Sequence, residues 1–220
     1  MQKLPVEIAK PIFAIMYKKD NEKLFQDCLK IIENNLGKID FISSPYHFSS
    51  LENYYSKEMG KPILKVFLSL ENFILKSNNE DENILNIIQK YNNYVDKLKK
   101  ESDKLKILKY DIIDLKLFSM KLEDTYRDKN NNRQINVDVG YLDEFQLVLA
   151  SHKRRGARIY VGKGVYLELE YLYFNKDFQD LFWTYMDYRE KKVKEIFKLI
   201  RKKFLEDRKI FIKNFSALKI

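Results

Sequence analysis

The sequence predicts an α/β (α+β) fold built on a mixed, partly antiparallel sheet with flanking helices. Three observations predict it: a strand-helix-strand alternation at the start, a glycine-punctuated hairpin in the last third, and a long amphipathic helix near the end. At 220 residues with 45% apolar side chains, a chain of this size buries about 70% of its extended surface. Residues 1–220 are therefore expected to form one domain. The 15 Tyr and 15 Phe exclude a generally disordered chain, because such rings bury large areas when ordered.

Each element has its own justification. Pro11 followed by IFAIMY reads as a buried strand, and residues 21–35 place Leu24, Cys28, Ile31 and Ile32 at helical spacing before Gly37 ends the helix. KIDFIS resumes as a strand, so Cys28 is expected to pack toward the sheet. A turn-rich segment around Pro45 leads through Tyr54, Tyr55, Glu58 and Gly60 into a strand over 63–73. SNNEDEN interrupts, and Ile84, Ile87, Ile88, Tyr91, Val95 and Leu98 recur at helical steps through a helix near 82–100. Residues 105–117 read either as a strand or as more helix, and KLEDTYRDKNNNRQ as a loop, so 76–134 is expected to be a variable polar segment. INVDVGYL reads as extended, and LDEFQLVLAS as a helix carrying Leu142, Phe145 and Leu149 on one face. ARIYVGKGVYLELEYLYF reads as a hairpin turning at Gly162 and Gly164, with Glu168 and Glu170 on the face opposite Val165, Leu167, Leu169 and Tyr171. A basic helix near 190–209 closes the chain with Val193, Ile196, Phe197, Ile200, Phe204 and Leu205 as its apolar stripe.

Charge and cysteine usage bound the function. One cysteine cannot make an internal disulfide or a CxxC pair, and the apolar run 12–17 is too short to span a bilayer. A cytoplasmic chain without membrane insertion is expected. The net charge of +9 is uneven, since residues 191–220 hold eleven Lys or Arg against three Asp or Glu. Only eight of the 41 basic residues are Arg, the side chain suited to bidentate phosphate contacts, so bulk charge alone does not indicate specific recognition.

The blocks NVDVGYL, ARIYVGKGVYLELEY and WTYMDYR, with YYSKEMG before an early strand, carry a resemblance. Over about 5–208 the chain resembles the prokaryotic family catalogued as domain of unknown function 4416, which implies no activity. The resemblance matches Asp138, Gly140 and Tyr141 to an aspartate-proline-glycine-tyrosine pattern, and Tyr160 through Tyr166 to a tyrosine- and glycine-rich hairpin. Thr184, Tyr185, Asp187, Tyr188 and Arg189 match a threonine-tyrosine-proline-aspartate-tyrosine-arginine pattern. Val139 and Met186 stand where that family has its two prolines.

No complete catalytic motif of a familiar kind is present, so whether the protein is an enzyme stays open at this level. The polar set Glu58, Asp138, Lys163, Glu168, Asp187 and Arg189 lies in turns or beside strand ends, where a scaffold assembles clefts, and is the candidate ligand-binding set. Lys153, Arg154 and Arg155 are candidate phosphate contacts. Lys163 in GKG offers an anion a turn and a point charge, although the P-loop spacing is absent. The preferred reading is binding of a nucleotide, nucleic acid or other phosphorylated ligand. A second is metal-assisted hydrolysis, in which Asp138, Glu168 and Asp187 converge on a divalent metal ion. A third is an interaction protein docking a partner through its terminal helix. Against all of these stand turn-capping by the aspartates, a plain hairpin turn at GKG, and core packing of Trp183, Tyr185 and Tyr188. His47 and His152 belong to no HExxH or clustered spacing, and His152 lacks an adjacent nucleophile or orienting carboxylate.

Overall fold

β1 (Ile8–Lys18) is buried along nearly its whole length, consistent with its run of apolar residues. The computed structural model describes residues 6–49, 52–76 and 81–218, so part of SNNEDEN lies outside the described residues. The chain continues through α1 (Glu22–Leu36), β2 (Ile39–Ile42), β3 (Tyr46–His47), α2 (Glu52–Met59), β4 (Ile63–Leu70), β5 (Phe73–Leu75) and α3 (Glu82–Val95). β6 (Ile107–Asp111), α4 (Ile112–Thr125), β7 (Ile135–Leu142), β8 (Gln146–Ser151), β9 (Ile159–Gly162), β10 (Val165–Phe174), β11 (Asp177–Asp180) and α5 (Lys191–Ala217) complete it.

The strands form one curled sheet in the order β11-β10-β8-β7-β1-β4-β2, with β3 on β4, β9 on β10, and β5 between β1 and β6. All pairs are antiparallel except β5 with β6. β1 changes neighbour along its length: Ile8 and Ala9 pair with β5, and β4 takes over from Ile12. Pro11, which has no amide hydrogen to offer, stands in the gap between those two partners.

Alternation assigns the two faces. Phe13, Ile15, Val66, Leu68, Val137 and Val139 pack against α1 and α4, where Cys28 is buried as expected. Ile12, Ala14, Phe67, Leu142, Leu147 and Leu149 pack against α3 and α5. On α5 the buried side chains Val193, Phe197, Ile200, Phe204, Phe211 and Phe215 recur at three- and four-residue steps or their sum. Lys10, fully buried on β1, pairs with Asp40 at 2.7 Å and Asp207 at 2.8 Å, tying β2 and α5 to the sheet centre.

Several expectations are corrected. LDEFQLVLAS is a turn and a strand: the Asp143 carboxylate accepts from the amides of Phe145 and Gln146, reversing the chain into β8, and both faces of 147–150 are buried. A short apolar run buried on both faces satisfies helical and extended spacing equally. Residues 105–117 are strand then helix, switched where Asp111 caps α4 by accepting from Ile113 and Asp114. α4 extends to Thr125 through what reads as loop, and α2 occupies what reads as turn. The helix near 82–100 ends at Val95, and the terminal helix runs on to Ala217. The 159–174 hairpin is as expected, with Lys163 and Gly164 at φ +48° and +76°, the signature of a type I′ turn. A bulge between Leu169 and Tyr171 moves Tyr171 to the α5 face, and Glu168 and Glu170 are buried.

Candidate functional site

The α5-facing surface turns polar toward the C-terminal end of β1. Met16 sits opposite Lys65 on β4 and Asn136 on β7, and Ala14 sits opposite Asp138. Two-residue periodicity keeps Lys65, Asn136 and Asp138 on the same face as Phe67 and Leu142, and it brings Ser151 and Glu168 to that face from β8 and β10. Phe48, Tyr55, Tyr185 and Tyr188 supply aromatic walls, while Lys116 and Glu123 enter from α4 and Arg133 from the turn before β7. Together they enclose a cavity of about 90 Å³.

Most of its charges are paired. Asp187 holds Lys65 at 2.5 Å, and the Lys65 ammonium also lies 4.6 Å from the centre of the Tyr188 ring. Arg158 donates to Glu168 at 3.0 Å, to Ser151 Oγ at 2.7 Å and to the Tyr185 hydroxyl at 2.6 Å. Arg133 is clamped by both carboxylate oxygens of Glu58, at 2.7 and 3.3 Å, and lies 3.7 Å from Glu123. The Arg133 hydrogen bond holds the Glu58 carboxyl below its ordinary range, whereas burial pushes Glu123 up. Glu123 accepts from the Val137 amide at 2.6 Å. Burial, and then the neighbouring cations, lower the His152 imidazole, so it is neutral at pH 7.

What remains is a small unpaired set. The buried Lys116 ammonium has one hydrogen-bond partner, Ser119 Oγ at 3.4 Å. Asn136 accepts from Arg133 at 3.0 Å through Oδ1, which leaves its buried Nδ2 without a partner. Lys153 makes no ion pair and lies 5.8 Å from the centre of the Tyr54 ring. Asp138 makes no hydrogen bond or ion pair with any described residue.

Of the expected set, Asp138, Glu168, Asp187 and Lys153 line this cavity. Glu58 stands one step behind it through Arg133 and lines an adjoining open groove. Arg154 and Arg155 line a second groove that shares Arg158 with the cavity. Lys163 is at the exposed hairpin tip, away from the cavity lining. Arg189 is spent on its own turn, donating to the carbonyls of Thr184 at 2.9 Å and Phe182 at 2.9 Å. Tyr188 is core, as the packing reading of WTYMDYR has it, whereas Trp183 is 42% exposed with its indole N–H donating to the Leu169 carbonyl, and Tyr185 lines the cavity. Asp138 lies within β7, so it caps no turn. Among the described residues, no group of three or more His, Cys, Asp or Glu is arranged to hold a metal ion. Lys65 and Arg158 stand against two of the three carboxylates proposed for that role.

Sequence reading misses Lys65, Lys116, Arg133, Asn136 and Arg158. The available signal was a lone lysine inside each of two apolar runs, ILKVFLSL and IIDLKLFSM.

No helix among the described residues is long and apolar enough to cross a membrane. No curated protein and no solved structure matches the chain. A family model described as Domain of unknown function (DUF4416) matches residues 7–108 and 102–204. The blocks that form the cavity floor, the hairpin and the 184–189 turn fall inside those matches, and the chain belongs to that family.

Proposed function

We propose that the cavity binds the phosphoryl group of a small hydroxyl-bearing ligand. The observation that carries this reading is a pair of donors with capacity to spare, Lys116 Nζ, held only by a 3.4 Å bond to Ser119 Oγ, and the unpartnered Asn136 Nδ2, left in the cavity after Lys65, Arg133 and Arg158 are matched to carboxylates. A buried ammonium with no carboxylate within ion-pair distance, only the longer-range field of Glu123, is costly, and an oxyanion seated beside it lowers that cost. Asp138, unpartnered on the same floor, is suited to accept from a hydroxyl of the same ligand. At about 90 Å³ the space suits a phosphoryl group; sites that enclose a whole drug-sized molecule occupy roughly 300 Å³ or more. A complete nucleotide would have to leave its base outside.

The interaction-protein reading loses its main motive, because the apolar stripe of α5 is buried against the chain's own sheet. Calorimetric titration with ribose 5-phosphate and with ribose at low salt tests the proposal. The phosphate ester should bind and ribose should not. K116M should weaken binding at least tenfold, since a charge-assisted hydrogen bond contributes about 1.5–3 kcal/mol. Equal binding of the two sugars, or K116M binding as tightly as wild type while melting at the same temperature, rejects it.

A further inference from the structure

We propose that the ligand is the phosphorylated end of a single-stranded oligonucleotide, whose next nucleotides lie in the groove beside the cavity. This rests on the phosphoryl-binding reading of the cavity. The groove is lined by Arg154, Arg155, Gly156, Arg158, Tyr160 and Tyr166, so every charged side chain along it is positive. The cavity has four carboxylates in its wall; the groove has none. Arg158 belongs to both linings, and its bonds to Glu168, Ser151 and Tyr185 make it a fixed partition between them. Arg154 and Arg155 are exposed and make no side-chain hydrogen bond or ion pair with described residues. They are free to meet phosphates along a strand.

The aromatic component separates a nucleic-acid strand from a simple polyanion. Tyr160 and Tyr166 are cross-strand partners on β9 and β10, with ring centres 5.3 Å apart, and Tyr160 is 60% exposed. Among the described residues β9 pairs with β10 alone, so no further described strand covers this edge. Open rings beside unpaired arginines form the usual platform for unstacked bases, which a duplex keeps hidden. The cavity, too small for a base, would take only the terminal phosphate.

Fluorescence anisotropy with end-labelled octanucleotides tests this. The probes carry a 5′-phosphate, a 3′-phosphate or two hydroxyl ends, and ribose 5-phosphate is titrated in parallel. One of the phosphorylated octamers should bind at least tenfold tighter than the hydroxyl-ended octamer and at least tenfold tighter than ribose 5-phosphate. R154A/R155A and Y160A should each weaken the octamer at least fivefold and leave ribose 5-phosphate within twofold. The arginine variant should also lower the salt slope by about 1.4, the value for two single-strand phosphate contacts. If ribose 5-phosphate binds but the octamer gains nothing, or the variants match wild type, the oligonucleotide is wrong and the cavity reading stands. If hydroxyl-ended octamers bind as tightly as phosphorylated ones, or anionic vesicles compete better than either, the strand-end proposal is also wrong. If neither sugar phosphate nor octamer binds, both readings fall.

Discussion

Glu170 shows how much one side chain in this fold is set by its surroundings. It is fully buried beside the cavity wall, and one carboxylate oxygen accepts from the Tyr185 amide at 2.6 Å while the other has no partner. Burial pushes its carboxyl up to about 8, so it is largely protonated at pH 7. The folded protein therefore holds a proton that the unfolded chain releases between about pH 4.5 and 8, and the Glu170 contribution to stability falls as pH rises through that window. Its slope cannot exceed about 1.4 kcal/mol per pH unit. E170Q keeps the acceptor and removes the titration, so urea unfolding should show a variant that gains on wild type as pH is raised from 5 to 8. A constant difference across that range would mean that Glu170 is ionised in the folded state.

At the scale of elements, the β7–β8 pair explains why the DVGY block carries glycine. Gly140 lies opposite Leu149, and a Cβ there would sit 2.3 Å from the Val148 carbonyl oxygen and 3.2 Å from the Leu149 Cα. Backbone cannot yield as a flexible side chain does, so G140A should lower unfolding free energy by about 1–3 kcal/mol in urea titration. An unchanged midpoint would show that the two strands separate at little cost. The same pair marks the limit of sequence reading. The 159–174 hairpin was legible because its turn residues and its alternation agree, whereas β8 was not, because burial on both faces erases the alternation that identifies a strand. The site divides the same way. Asp138, Glu168 and Asp187 stand out in punctuated blocks, but the meaning of Lys65 depends on Asp187, 122 positions away, and no local pattern reports that contact. Arg189 fails in the opposite sense: its motif is conspicuous, yet its hydrogen bonds are consumed by the turn that contains it.

Over the whole molecule, net charge and binding site occupy different places. Lys202, Lys209 and Lys213 are exposed on the stretch of α5 whose buried rings Phe204 and Phe211 pack on Phe73 at the β5 end of β1. The cavity lies at the Met16 end, and the eight residue-to-residue steps from Ile8 to Met16 span roughly 27 Å of extended strand. That exceeds the Debye length of about 8 Å at physiological salt. K202E/K209E/K213E should therefore leave ribose 5-phosphate affinity within twofold at 0.15 M salt, and a fivefold loss by calorimetry would show that the helix charges act on the site. The arginines are distributed differently from the lysines: Arg127, Arg133, Arg154, Arg155 and Arg158 all line the cavity or its two grooves. The position of β1 also governs when this site comes into being. β1 emerges before its neighbours β4 and β7, which are drawn from 63–70 and 135–142, and its buried Lys10 waits for Asp207. Such long-range closure makes folding slow and holds it back until Asp207 has been made. A ribosome that has released only the first half of the chain carries a central strand with one flank open and no cavity floor.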